Sequence, residues 1–499
     1  MSTMPSGLET ASREDLLALI GVLHEQNTAL RQHLAQQTEE ITRLKAENEQ
    51  LRADNARLTT RVAQLERRLG RNSGNSSLPP SSDLFDKPER APAKKSARKR
   101  GRQPGAEGFG LPMVENPDQV HDHLPATCTG CHAELDPASS IGYQRRQVRD
   151  IPLVTVQVSE HRAHTCACQC GSITQAAMPQ ELAASPSSYG PHLRTLAVYL
   201  LVFQHIPVER TAQLINDLTG AKVSTGWVSH LLGEAHALVS DSLNLIRALL
   251  TLAHVLHADE TTTRIKDQRC WLHVACNEHL TLLGLAPRSR AGANTLGVLP
   301  GFTGTLVHDS LALYSGYTCA HQLCGAHLIR ELTAAEQDHP GQHWHRQIRS
   351  ALATLAREAG RVRCGQAEHI PAGVLLAQGE LFHHGIAVGL SCHPRAQGRK
   401  QSPARNLLER LRERAEQVLG FSDRPHLVPF TNNLAERALR PLKTQVKISG
   451  CHQSRQGAAA WLGVRSYIDS ARKHGVSAFE ALRRAFTGQL WMPPIPASA

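Results

Sequence analysis

Three acidic residues stand in contexts where a carboxylate can serve as a cation ligand. Asp259 lies in His257-Ala258-Asp259-Glu260-Thr261 and Asp309 in Leu306-Val307-His308-Asp309-Ser310, each closing a short apolar run with the texture of a strand. An acid at a strand end points from the sheet into a cleft, where ligands gather in α/β folds. Glu436 lies in Thr431-Asn432-Asn433-Leu434-Ala435-Glu436-Arg437-Ala438-Leu439-Arg440-Pro441, a short helical pattern that Pro441 bends or ends. Each acid also has a plainer reading. Asp309 can cap a helix that starts after it, Asp259 can open a turn, and Asn433 with Glu436 three residues on has the spacing of a capping box. Together the three form an all-oxygen donor set. Such hard donors suit Mg²⁺, with Mn²⁺ as a substitute, and two ions about 4 Å apart would serve phosphoryl transfer by activating a nucleophile and stabilising a leaving oxygen.

Thiols make a second set. Cys128-Thr-Gly-Cys131 is followed by alternating apolar residues, Val148, Ile151, Val154, Val156 and Val158, and then by Cys166-Ala-Cys168-Gln-Cys170. Two knuckles bracketing strands predict a small zinc-ribbon-like module with one structural zinc. Its ligands would be Cys128, Cys131 and two of Cys166, Cys168 and Cys170, with His161 or His164 as alternatives; unmetallated surface cysteines are the competing reading. The pair Cys324-Gly-Ala-His327 also has ligand spacing, but a packing role competes with it and it is left out of the zinc set.

The elements that must position these residues read as follows. Short apolar runs at Val255–Asp259, Cys270–Ala275, Leu280–Ala286 and Gly304–Asp309, with a helix over Ala291–Leu299, predict a mixed α/β core. The much longer stretch between Asp309 and Glu436 demands an inserted domain. Upstream, 186–252 is helical, and the break at Thr219-Gly220 before Ser224-Thr225-Gly226-Trp227 gives a helix-turn-helix-like arrangement; a plain helical bundle fits nearly as well. From Leu16 to Leu69 a 3,4 alternation is unbroken. One series is Leu16, Leu23, Leu30, Gln37, Leu44, Leu51, Leu58, Leu65 and the other Ile20, Asn27, Leu34, Ile41, Asn48, Asn55, Val62, Leu69. Leucine at one seam position with branched residues and asparagine at the other favours a parallel two-stranded coiled coil, hence a homodimer or higher assembly; a long amphipathic helix folding back on its own domain is the competing reading.

Gly70 ends that helix, and the basic, Ser- and Pro-rich segment 71–120 reads as a linker. Lys94, Lys95, Arg98, Lys99, Arg100 and Arg102 crowd within it, and Arg437, Arg440, Lys443 and Lys447 follow Glu436; both groups suit phosphate contacts on DNA, although a merely solvated basic linker fits the first group equally well. The whole chain of 499 residues carries 55 Lys and Arg against 44 Asp and Glu, a net charge of +11, which points to a polyanionic partner. A hydrophobic content of 41% suffices for several cores and excludes a wholly disordered chain. The most apolar run, Leu196 to Phe203, falls far short of the roughly 20 residues needed to cross a bilayer. A soluble, cytoplasmic and nucleoid-associated protein with reduced thiols is therefore expected.

Taken with the zipper, Asn75-Ser76-Ser77-Leu78-Pro79-Pro80-Ser81-Ser82-Asp83, the cysteine module, His257-Ala258-Asp259-Glu260-Thr261, Cys324-Gly-Ala-His327 with Arg330, and Asn432 to Pro441, the sequence resembles the insertion-sequence-sixty-six type of bacterial DDE transposases. The resemblance implies an RNase H-like catalytic core, magnesium dependence, and Asp259, Asp309 and Glu436 as its triad. It also implies double-stranded DNA, element ends and target, as substrate, with accessory proteins of the same element as further partners. The divisions it suggests are a coiled coil at 1–70, the linker, the zinc module at 121–185, the helical region at 186–252, a first part of the core at 253–327, a helical insertion at 328–429, and completion of the core with C-terminal helices at 430–499. One departure is that Ser310-Leu311 follow Asp309 where many relatives have Gly-Tyr; Tyr314 and Tyr317 come further on. A rival reading is a zipper and zinc DNA-binding regulator, or a domesticated transposase, without catalysis.

Overall fold

The computed structural model describes residues 12–71, 111–151, 154–178, 187–398 and 400–495. The basic cluster from Lys94 to Arg102 lies outside them. The chain divides into two compact units, Met1–Leu84 with Arg330–His343, and Phe85–Ile329 with Trp344–Ala499.

The first unit is dominated by one helix, α1 (Arg13–Leu69). Ser12 and Asp15 form a reciprocal capping box at its start, Gly70 caps its end, and the span agrees with the heptad run. Among the described residues little covers its seam: Leu23, Leu30, Leu44, Leu51 and Leu58 are between 50% and 65% exposed.

In the second unit the cysteine segment departs from expectation. The strands expected between the two knuckles do not form among the described residues: Val148, Ile151 and Val158 stand exposed, with no apolar surface to pack against. Instead β1 (Thr165–Ala167) and β2 (Ile173–Gln175) make a small antiparallel hairpin around the second knuckle.

Next come the helices α2 (Pro191–Val198), which runs on into a π-helical turn at Tyr199–Phe203, α3 (Val208–Thr219), α4 (Thr225–Leu238) and α5 (Ser240–Thr251). Gly220 ends α3 with a φ of 74°, a left-handed conformation that glycine adopts without strain, and Ser224 caps α4 through the Trp227 amide. This is the tight helix pair expected there, although the outward residues of α4, among them Ser229 and His230, include no lysine or arginine.

The sheet contains β3 (Val255–Ile265), β4 (Gln268–Cys276), β5 (Thr281–Leu285), β6 (Thr305–His308) and β7 (Ala320–Leu323), in the order β5-β4-β3-β6-β7. The first three form an antiparallel meander, while β6 and β7 run parallel to β3. The expected helix over Ala291–Leu299 is only the single turn α6 (Arg290–Asn294), because Gly297 takes a φ of 72° and Pro300 follows.

Beyond β7 lie α7 (Gly325–Asp338), α8 (Trp344–Arg363), α9 (Ala372–Cys392), α10 (Pro403–Glu413) and α11 (Ala415–Asp423). Leu355, Ala359, Val362, Ile370, Phe421 and Val428 give this stretch a small core of its own. The chain then returns through α12 (Asn433–Ser449), α13 (Arg455–Lys473) and α14 (Ala478–Phe486). Pro441 lies inside α12 and does not end it.

Side chains from α2 to α5, the sheet, α12, α13 and α14 share one continuous hydrophobic core, so the helices before the sheet are built into it. The buried helix α13 also covers the edge strand. Ser470 and Ser466 accept hydrogen bonds from the Thr281 and Leu283 amides at 3.0 and 2.9 Å, occupying backbone groups that an open edge would present to another strand.

Candidate active site

Asp259 is the fifth residue of β3, paired with Val274 of β4, and thus lies inside a long strand rather than at its end. On its other side, however, β6 pairs only with Val255, Leu256 and His257, so β3 loses its parallel neighbour just before the acid. Asp309 follows the last residue of β6. Both acids therefore face the gap at the carboxyl end of the parallel pair. One oxygen of each is tied to nearby backbone: Asp259 Oδ1 accepts the Glu260 amide at 2.8 Å and Asp309 Oδ1 the Leu311 amide at 3.0 Å. The second is a tight local turn rather than the helix cap that an isolated Asp309 could have made, and it leaves the other oxygen without a hydrogen bond among the described residues.

The electrostatics show how closely the acids interact. Burial pushes the Asp259 carboxyl up to about 8, helped by the charges of Asp309, Glu260 and Glu436, while the hydrogen bond from the Glu260 amide works against the shift. No arginine or lysine pairs with Asp259 or Asp309 among the described residues. Glu260 is different. Arg288 donates to its Oε1 from Nε and Nη2 at 3.1 and 2.9 Å, and the Tyr314 hydroxyl donates to Oε2 at 2.9 Å. Arg288 in turn lies 4.4 Å over the Trp271 ring. Glu260 is thus committed to a framework, and its neighbour Asp259 is left without a cationic partner among the described residues.

Glu436 sits in the first turn of α12, where the helix dipole favours a negative charge. The expected capping box with Asn433 is absent. The cap residue is Asn432, whose side chain is turned away from its own helix and buried. Its Nδ2 donates to Ala258 O at 2.9 Å and its Oδ1 lies 3.0 Å from His257 Nδ1. An amide that gives its hydrogens to Ala258 leaves its oxygen as the acceptor, so His257 carries its proton on Nδ1. Burial pushes this histidine down to about 4, against the effect of Asn432, and keeps the ring neutral. Asn432 thereby anchors the start of α12 to the strand that carries Asp259. Sequence reading passed over it because Asn433 occupied the capping position; the available signal was a second asparagine beside it.

Cys324 and His327 lie at the same place. The Cys324 amide donates to His308 O at 2.8 Å, and Cys324 Sγ accepts the Asn432 amide at 3.2 Å. Burial, chiefly, pushes its thiol up. Gly325 donates to Phe430 O, and a side chain there would meet the Phe430 ring at 2.1 Å, so the close approach requires glycine. His327 Nδ1 lies 3.9 Å from Glu436 Oε1. Among the described residues Cys324, His327 and Glu436 are the one trio of such donors within 4.8 Å of one another. The three acids do not meet that condition together.

The remaining expected ligands are distributed as follows. At the first knuckle the Cys131 and Gly130 amides, with the Cys131 thiol, lower the Cys128 thiol; at the second, Ser172 and then Cys168 bring Cys170 down to about 7. Amides aimed at thiols suit thiolate–metal bonding. The structure nevertheless leaves the pairs apart, since no three of Cys128, Cys131, Cys166, Cys168 and Cys170 lie within 4.8 Å. Beyond Glu436, Arg437, Arg440 and Lys447 are exposed and Lys443 is half-buried, and none of the four has an ion-pair partner among the described residues.

Comparison with known families is informative for this region. A family model described as Transposase IS66 family matches residues 186–460, which run from the helices before the sheet into α13 and include all three acids. A second, described only as a family of unknown function (DUF6444), matches residues 29–111. No curated protein matches the chain.

Proposed function

Because the chain belongs to the IS66 family of transposases, matched over more than half its length, we propose that it cuts the ends of its element and joins them to target DNA by magnesium-dependent phosphoryl transfer. Asp259, Asp309 and Glu436 are the ligands in this reading. DNA binding and the use of a divalent metal follow from the family itself. The observation that carries the assignment is that the fold buries Asp259 beside Asp309 and Glu436, acids far apart in the chain, with no arginine or lysine paired to any of the three among the described residues; burial, helped by their charges, raises the Asp259 carboxyl. Clustered oxygen donors without a cationic partner fit a hard divalent ion, which when bound would displace the proton, polarise the phosphate and activate the attacking oxygen. The chain's own residues keep the site in register. Asn432 holds α12 against β3, Arg288 and Tyr314 withdraw Glu260 from competition, and the backbone bonds to Asp259 and Asp309 fix one oxygen of each.

The mixed five-stranded sheet flanked by helices supports an RNase H-like core, with α7 to α11 as the insertion at 328–429. The remaining assignments rest on the sequence: dimerisation through 1–70, DNA contact by the basic linker, and one zinc ion at 121–185. No helix is long and apolar enough to cross a membrane among the described residues.

Asp259→Asn, Asp309→Asn and Glu436→Gln each keep shape and remove charge. Each should abolish cleavage and strand transfer of element-end DNA while end binding survives, and a double variant should lose little more, because a site lacking one ligand already fails to hold both ions. Near-normal transfer by Glu436→Gln would remove Glu436 from the triad; full activity in all three would favour a protein that only binds DNA.

A further inference from the structure

We propose that Cys324, His327 and Glu436 form a binding site for one thiophilic divalent cation of the zinc class, separate from the all-oxygen pair at Asp259 and Asp309. The thiol, an imidazole nitrogen and a carboxylate oxygen lie within 4.8 Å of one another. Around a tetrahedral zinc, with bonds of about 2.0 to 2.3 Å, such donors are about 3.3 to 3.8 Å apart, so small side-chain movements close the site. Two of its members are buried polar atoms with no hydrogen bond. His327 Nδ1 and Glu436 Oε1 face each other at 3.9 Å, beyond hydrogen-bond reach. Buried groups left unsatisfied are costly, and an ion between them is one of the few arrangements that satisfies both.

The surroundings are built to hold the donors. The Asn432 amide donates to Cys324 Sγ, the kind of outer-shell bond that orients a thiolate ligand. Cys324 is pinned to His308 O at the end of β6, and the following Gly325 amide to Phe430 O just before α12. The Cys-x-x-His spacing then brings His327, in the first turn of α7, toward Glu436 in the first turn of α12. A thiolate and an imidazole with one carboxylate select zinc over magnesium, and three protein ligands leave a fourth position open. The site stands on this geometry alone. Its consequence rests on the reading proposed above: an ion engaging Oε1 fixes the orientation of Glu436 and presents its other oxygen to the acidic cleft.

The test is cobalt substitution in the full-length protein, in a background with Cys128, Cys131, Cys166, Cys168 and Cys170 all replaced by alanine, which removes both knuckles. Cobalt should there give a sulfur-to-metal charge-transfer band with tetrahedral ligand-field bands. Adding Cys324→Ser should abolish the charge-transfer band, and adding His327→Ala should weaken cobalt binding by about tenfold or more, with far-ultraviolet circular dichroism unchanged. In the wild-type background Cys324→Ser should purify with one zinc ion fewer than the unaltered chain. Bands that persist in Cys324→Ser, or zinc content that Cys324→Ser and His327→Ala leave unchanged, would overturn the proposal. Asp259→Asn should keep these bands. Loss of transfer in Asp259→Asn without a cobalt site refutes only this inference, whereas a cobalt site with active Asp259→Asn refutes only the triad.

Discussion

At the scale of single residues, the most consequential one is Asp259. A carboxyl at about 8 in the folded protein, against an ordinary value of 3.8, means that between these limits the folded state holds a proton that the unfolded state has released. Stability without metal therefore falls as pH rises from about 4 to about 8 on account of this residue, and the penalty is absent below the unfolded value. Asp259→Asn should remove that slope. Its melting temperature without metal should exceed that of the wild type by roughly 3 °C or more near pH 8, and the gap should close toward pH 4. Magnesium near pH 8 should raise the wild-type value and leave the variant unmoved. Calorimetry across this range checks both, and a gap that widens on acidification would show that burial and the neighbouring acids do not burden Asp259.

At the scale of elements, α12 joins the acid to the cations behind it. With about 100° between successive residues, Glu436, Arg440, Lys443 and Lys447 fall within a sector of roughly 60°, with Arg437 beside it. A strand of DNA whose phosphate reached Glu436 would thus meet a row of positive charge along the same helix. Arg440→Ala with Lys443→Ala should reduce the log–log salt slope of end binding by about two units, irrespective of sequence, and an unchanged slope would remove the stripe from the interface.

The same helix shows what was legible beforehand. Its acid and its cations were visible in the sequence because charge and spacing are local properties. The anchoring role of Asn432 was not, because its partners Ala258 and His257 lie far away in the chain and only the fold brings them together. The heptad run foretold α1 almost to the residue, since a seam repeats along one element. By contrast, β7 was missed, as a four-residue strand carries too little pattern. The apolar alternation around Val148 and Val156 suggested strands that do not form, because period-two patterning needs a surface to pack against. Asp259 was read as closing its strand, while β3 runs on to Ile265 through Thr261, Thr262 and Thr263, whose branched side chains suit a sheet.

At the scale of the whole molecule, each chain offers one acidic cleft, while an element has two ends to be cut. The pairing of chains through α1 proposed above would bring two clefts to one assembly, and the exposed seam of that helix is the reason to expect it. A 57-residue helix is about 85 Å long, and among the described residues none covers Leu23, Leu30, Leu44, Leu51 or Leu58 enough to bury it. Burying one such leucine contributes about 1.5 to 3 kcal/mol, so a seam of this length supports a stable dimer even after the entropy of association. The full-length protein should therefore sediment as a dimer at micromolar concentration. Leu44→Lys with Leu51→Lys should shift it to monomer while leaving the stability of the second unit unchanged. Asn27, Asn48 and Asn55 serve a different purpose, since a buried asparagine pairs best across a two-stranded axis and penalises other registers. Replacing Asn48 and Asn55 with isoleucine should strengthen association yet let trimers or larger species appear. Were the wild type monomeric at these concentrations, or the isoleucine variant still strictly dimeric, the seam would have another partner and the asparagines another role.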